Sequence, residues 1–206
     1  MFKKFLIIIL SVLFIATTAS CKPKEENNNP KVVLNISNGK QIKIELYPDI
    51  APVTVENFLN LVDDGFYTNA FFHRIIDGFM IQTGGYSIED YENGQKMIVQ
   101  KYGLPTITGE FTNNGHENNL KHTAGVISMA RSDDYDSAST QFFICVADAP
   151  HLDGNYAAFG MAMDEESINN AIEIGKVEVV ARYIGSAYFE AIPVEPIYIT
   201  SIERIK

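Results

Sequence analysis

Apolar and polar residues alternate most cleanly in KVVLNIS and KQIKIELY, two runs that flank Asn38 and Gly39 and predict a β-hairpin starting at Lys31. Leu34, Ile36, Ile42, Ile44 and Leu46 share one face of that hairpin and are expected in the core. The period then lengthens: Val55, Phe58, Leu59 and Val62 form a helical stripe that starts near Pro52 and stops at Gly65. A second helix is expected over 165–174, with Ile168, Ala171 and Ile172 inward. Strand patterns return in GVISMAR (125–131), QFFICVA (141–147) and YAAFGMAM (156–163), separated by the turn-rich segments SDDYDSAST and APHLDGN. The tail PVEPIYITSIERI is β-rich, with Pro193 and Pro196 suited to a strand start or an edge. Residues 86–108 read as a long polar surface excursion broken by Gly94, Gly103 and Pro105. Many short strands and two helices predict a mainly β fold, an antiparallel barrel or sandwich.

One stretch breaks the pattern. FFHRIIDGFMIQTGG (71–85) reads as two strands around a Gly turn, yet Arg74 lies among Phe72, Ile75 and Ile76, and Gln82 follows Phe79, Met80 and Ile81. Polar groups in such surroundings are either tied up inside the protein or face a ligand. Taken alone, Arg74 reads as half of a structural ion pair, and Phe79, Met80, Phe143 and Leu152 read as core. His73, beside Arg74, is expected on the opposite strand face as a satisfied structural histidine, and His116 and His122 in or beside turns.

Ahead of the hairpin the chain has a different character. Residues 1–20 place Lys3 and Lys4 before an apolar run and then small residues, the layout of a secretory signal. The segment Thr18-Ala19-Ser20-Cys21 resembles a bacterial lipobox with Thr18 in place of the usual Leu, which implies lipidation at Cys21 and a protein held on the outer side of a membrane. An ordinary secreted protein with a free or disulfide-bonded Cys21 is the alternative. The other cysteine, Cys145, falls inside QFFICVA and is expected to be a buried thiol. The rest of 21–30, KPKEENNNP after the cysteine, has no apolar periodicity and reads as a tether, leaving 31–206 as one folded domain.

Composition narrows the chemistry. The net charge is −10, or −12 once the leader and its two lysines are removed, a field that repels phosphate backbones, so no nucleic-acid partner is expected. The four histidines have no zinc-like spacing, and Asp134 and Asp136 lack the Gly and closing Glu of a calcium loop. Ser137 and Ser139 have no nucleophile elbow around them. Neither metal nor cofactor is expected.

Five separated blocks, FHRIIDGFMIQTGG, GEF, LKHTAGVISMAR, SASTQFFICVA and HLDGNYAAFG, resemble the cyclophilin family of peptidyl-prolyl cis-trans isomerases in order and approximate spacing. The resemblance implies a closed eight-stranded antiparallel β-barrel capped by two helices, with a proline groove on its outer face. It implies that Arg74 is the catalytic arginine, its planar fork held by neighbours such as Gln82. Phe79, Met80, Phe143 and Leu152 match the proline pocket, Gln82 and Gln141 the substrate-holding glutamines, and Ala130 and Arg131 a strand edge that pairs with the substrate backbone. Two positions depart from the best-known eukaryotic members: His151 stands where they carry Trp, which counts against tight cyclosporin binding. Tyr156 stands where many carry His, keeping a planar, hydrogen-bonding wall. The implied activity is isomerisation of X-Pro bonds in flexible, proline-containing polypeptides by a monomer, assisting the folding of exported proteins. The competing reading is a module that binds proline segments with negligible turnover; intact Arg74, Phe79, Gln82 and Phe143 argue against it.

Overall fold

In the computed structural model, residues 28–102 and 104–205 are described, so the expected leader, Cys21 and all but the last residues of the tether lie outside the described part. The hairpin forms as expected from β1 (Lys31–Ile36) and β2 (Gln41–Leu46), paired from Lys31↔Glu45 to Asn35↔Gln41. Gly39 takes a positive φ of 84° in the turn, and the Asn38 side chain accepts from the Lys40 N–H at 3.1 Å. All five residues expected on its inner face are buried, with Val32 beside them.

Helix α1 (Pro52–Asp63) starts with Pro in its first turn and has no side-chain cap from Ala51. Its cap comes from far along the chain: the Glu110 carboxylate, 3% exposed, accepts from the N–H groups of Val53 (3.0 Å) and Thr54 (2.8 Å). A buried anion is tolerated there because free N–H groups and the positive end of the helix dipole face it. The helix buries Val55, Phe58, Leu59 and Val62, as the stripe predicts. Helix α2 (Glu165–Gly175) is capped locally, Asp164 accepting from Ser167 N–H at 2.8 Å, with Glu165 and Glu166 favourably placed in the first turn.

The remaining strands are β3 (Ala70–Phe71), β4 (Arg74–Ile76), β5 (Met80–Thr83), β6 (Tyr86–Asp90), β7 (Lys96–Gln100), β8 (Val126–Met129), β9 (Phe142–Cys145), β10 (Ala158–Ala162), β11 (Val179–Ile184), β12 (Ala187–Pro193) and β13 (Tyr198–Ile205). The fold is mainly β with two α-helices. Eleven strands join one antiparallel sheet in the order β4-β5-β9-β8-β10-β2-β1-β13-β3-β6-β7, and β11-β12 form a separate pair. This differs from the expected closed barrel of eight. A strand has two edges, and β3 gives its edges to β13 and β6, so the sheet runs on into β7 instead of returning to β4.

Two hairpins account for the difference. Residues 86–100, expected to be an irregular excursion, form β6-β7, with Tyr86, Ser87 and Ile88 buried. The second, β11-β12, follows α2, and β12 packs along the outer side of β4. Between the hairpins lies a satellite core of Phe71, Tyr86, Ile88 and Ile192, bordered by Phe189 and Tyr198. His73 is sealed into this region, 4.9 Å from the Tyr86 ring and 6.0 Å from Phe189, and only 4% exposed. It is structural, as expected, but not fully satisfied, because its Nδ1 has no hydrogen-bond partner.

Burial pushes the His73 pKa down to about 4 from 6.5, against opposing contacts with the Phe71 carbonyl and the Gln141 side chain. The unfolded chain therefore takes up this proton first, so the contribution to stability is complete above pH 6.5 and is lost as pH falls toward 4. His73→Phe is expected to flatten the fall in unfolding free energy across that window by on the order of 2–4 kcal/mol, leaving the slope due to His122. Urea titrations at a series of pH values measure it; an unchanged slope contradicts the assignment.

Candidate active site

Pairing register sorts the residues of 71–85 into two rows. Arg74↔Gln82, Gln82↔Phe143 and Phe143↔Ser128 form one row across β4, β5, β9 and β8, while Ile75↔Ile81, Ile81↔Ile144 and Ile144↔Ile127 form the next. Side chains alternate across a strand, so the isoleucine row enters the main core and the Arg74 row faces the other way. A one-residue slip would bury the guanidinium, and the core row thereby holds the register.

Arg74 has no carboxylate partner among the described residues. Its Nη1 meets Met80 Sδ at 3.7 Å, and the guanidinium stands 6.0 Å from the Phe79 ring. The structural ion pair is thus not what the sheet builds. Gln82 lies directly across from Arg74 but does not hold its fork as expected; its Nε2 donates instead to Gln141 Oε1 at 3.0 Å. Gly84 and Gly85 make that possible. A Cβ on Gly85 would lie 2.6 Å from Gln141 Nε2, and one on Gly84 would lie 2.4 Å from the Thr140 carbonyl oxygen.

Arg74, Phe79, Met80, Gln82, Ala130, Arg131, Phe143, His151, Leu152 and Tyr156 line one cavity of about 310 Å³. Gln141 lines the adjoining cavity of about 340 Å³, and Gln82, Ala130 and Arg131 border both. Met80, Phe143 and Leu152 are buried in a cluster of their own, outside the main core, with Phe79 and Tyr156 against it. Tyr156 meets Phe143 edge-on at 5.8 Å, and the exposed His151 ring lies 5.2 Å from Phe79 at the rim.

The pocket is braced from behind by His122, which lies beside the turn at 124–125, as expected, and is also buried and hydrogen-bonded. Its backbone N–H donates to Asp153 Oδ1 at 2.9 Å, its Nδ1 meets the same oxygen at 3.1 Å, and its Nε2 meets Ser128 Oγ at 3.0 Å. An ionised carboxylate only accepts, so Nδ1 carries the proton and Nε2 accepts from the serine. Burial lowers the His122 pKa and keeps the ring neutral. Burial raises the Asp153 carboxyl, but hydrogen bonds from His122 and Lys121 outweigh it and leave the pKa below the usual range. This pair fixes the turn that carries His151 and Leu152, while the His122 ring stacks on Phe143 at 6.1 Å. Ser128, His122 and Asp153 have the order of a hydrolytic triad, yet Ser128 is fully buried and lines neither of the two cavities. Cys145, as expected, is a buried thiol, its pKa pushed up to about 12 by burial.

Ala130 and Arg131 continue beyond β8. The Ala130 N–H is committed to the Gln141 carbonyl at 2.9 Å, whereas the backbone N–H and carbonyl of Arg131 make no hydrogen bond among the described residues. Of the two, only Arg131 has both backbone groups open for strand pairing with a bound chain. Ser132, Ser137, Ser139 and Thr140 of the second cavity had no role in the sequence reading. For Ser137, Ser139 and Thr140 the signal was present as the run of small residues just before Gln141.

An unpaired guanidinium over an apolar pocket, beside open backbone groups, defines a site for an extended polypeptide with a compact apolar side group. Comparison with known proteins places the chain further. Residues 31–204 match the family model of cyclophilin type peptidyl-prolyl cis-trans isomerase/CLD, and the chain belongs to that family. It is 34% identical to peptidyl-prolyl cis-trans isomerase A of Dickeya dadantii over the full length of both chains. Against peptidyl-prolyl cis-trans isomerase B of Escherichia coli the identity is 35%, over 81% of this chain and 94% of that protein. Among solved structures, the Cryptosporidium parvum cyclophilin type isomerase in the presence of the dipeptide Ala-Pro superposes with a TM-score of 0.63 at 27% identity, covering 85% of this chain and 99% of that one.

Gly85→Ala is expected to displace the Gln141 side chain and break its bond to Gln82, at a cost of about 1 kcal/mol in stability. NMR of the two side-chain amides, with a denaturant titration, reads both effects. Amide resonances of Gln82 and Gln141 left in place would show that the close approach does not hold them.

Proposed function

We propose that the protein accelerates rotation about X-Pro bonds in flexible segments of exported polypeptides, with Arg74 as the catalytic residue. The observation that carries this is the uncompensated guanidinium at the lip of the Phe79–Met80–Phe143–Leu152 pocket. An X-Pro bond resists rotation by roughly 18–20 kcal/mol because its C–N bond is partly double. In the twisted transition state the imide nitrogen loses conjugation and becomes a hydrogen-bond acceptor. A donor aimed at it binds that state more tightly than either planar isomer. A guanidinium bound to a carboxylate would have spent this capacity already. The apolar pocket holds the pyrrolidine ring by burial, the Arg131 backbone holds the chain by strand-like pairing, and the rest of the bond turns. No covalent bond breaks, and the neutral, buried Ser128-His122 pair has no part in the reaction.

Arg74→Ala is expected to lower kcat/KM for X-Pro exchange by about 10²- to 10³-fold, with a stability change under about 1 kcal/mol because the side chain has no ion pair to lose. NMR exchange or a protease-coupled assay on a short peptide measures it. Wild-type protein that does not accelerate exchange, or Arg74→Ala that matches it, would sink the proposal.

For the segment ahead of the domain we propose export through 1–20, lipidation at Cys21 and a short tether, so that the groove meets clients on the outer side of a membrane. The charge pattern and the Thr18-Ala19-Ser20-Cys21 segment support it. Cys21→Ser is expected to move the protein from the membrane fraction to the soluble fraction of fractionated cells; unchanged retention refutes lipidation there.

A further inference from the structure

We infer that the Arg131 side chain is a positioning residue, setting the Tyr156 wall of the pocket. This rests on the proline-groove reading above, in which only the Arg131 backbone has a role. The guanidinium lies within 4.7 Å of the Tyr156 ring, 4.8 Å of Tyr135 and 5.2 Å of Phe111. Its Nε donates to the Asn155 carbonyl at 3.0 Å and its Nη1 to the Ser132 carbonyl at 2.8 Å. No carboxylate pairs with it among the described residues. A solvated surface arginine has no such set of partners. This one touches three chain segments at once: that around Phe111, the loop after Arg131 and the turn before Tyr156.

The geometry leads into the pocket. Tyr156 has Arg131 on one side and Phe143 edge-on at the other, so the cation fixes how far the tyrosine leans over the proline space. On the loop side, Arg131 and Asp136 secure opposite ends: Asp136 Oδ1 accepts from Gly109 N–H and from Asn114 Nδ2, each at 2.9 Å. Ser132 and Ser137 are bonded to each other at 2.8 Å between them. Arg131, with Gln82 and Ala130, also borders both cavities. The planar fork is what this arrangement uses, since stacking and two carbonyl bonds in different directions need it; a lysine ammonium supplies only the charge.

The test is a double-mutant cycle on the full chain: Arg131→Met, Tyr156→Ala and both together. Three quantities are read: affinity for a short Ala-Pro-containing peptide by NMR titration, the KM and kcat of its exchange, and the ring resonances of Tyr156 in the free protein. Arg131→Met is expected to weaken peptide affinity by about 5- to 10-fold, with a larger effect on KM than on kcat, and to shift and broaden the Tyr156 resonances. In the Tyr156→Ala background it is expected to add less than about 2-fold. Arg131→Lys is expected to reproduce the loss, and it serves if the Met variant does not fold. An equal loss in both backgrounds would mean that the side chain acts on the peptide directly and overturns the proposal, as would unmoved Tyr156 resonances. Wild-type protein with neither exchange nor peptide binding would remove the proline-groove reading, and the Tyr156 resonances of the variants would still decide whether Arg131 positions that ring.

Discussion

A positive charge stands beside an apolar pocket with no carboxylate paired to it among the described residues, and the surrounding sheet is arranged to keep it so. Arg74 is held by strand pairing rather than by a counter-ion: β4 binds β5, β5 binds β9, and the isoleucines on the inner face hold that register. Its neighbours offer a thioether and a phenyl face, which accept a cation weakly and leave its hydrogen-bonding capacity unspent. Gln82, directly across from it, binds Gln141 instead. A donor left free in this way is available to a transition state that exists only while a bound peptide is twisted.

Rigidity around that donor comes from buried and half-buried polar groups acting as pegs between distant segments. Glu110 caps α1 from more than fifty residues away, Asn118 donates to the Glu110 and Ala158 carbonyls, and Asp153 ties the pocket turn to His122. Each is satisfied by two or more partners, the condition under which a buried polar group helps to specify a structure. None touches the groove floor. The apolar residues that do, Met80, Phe143 and Leu152, form a cluster separate from the main core. Binding a ring there need not disturb the packing that holds the sheet together.

Much of this was legible in the chain. Periodicity located the first hairpin, both helices and the strands β8, β9, β10 and β13, because each has one face against the main core and a plain apolar rhythm results. Ten of the eleven residues assigned to the groove do line one cavity, and Gln141 lies at the next. The hairpins β6-β7 and β11-β12 were not legible. Their inner faces meet each other and the edge of the sheet, so Tyr86, Ile88 and Ile192 are buried while Val179, Val180, Tyr183 and Tyr188 on the same elements stay exposed. A strand that buries only a few residues against another peripheral hairpin carries no strict alternation.

The same distinction separates what the chain alone determined from what folding decided. Residue types and their local spacing determined the class of fold, because side-chain character and strand alternation are local properties, while the groove residues were named by the resemblance of five sequence blocks to a known family. Partnership was not local. Whether Arg74 met a carboxylate, whether Gln82 turned to it or to Gln141, and whether Arg131 pointed to solvent or into three aromatic rings depended on segments tens of residues away. Closure of the sheet was decided in the same way, since the edge of β3 binds whichever strand the tertiary fold brings to it, and β6 is that strand.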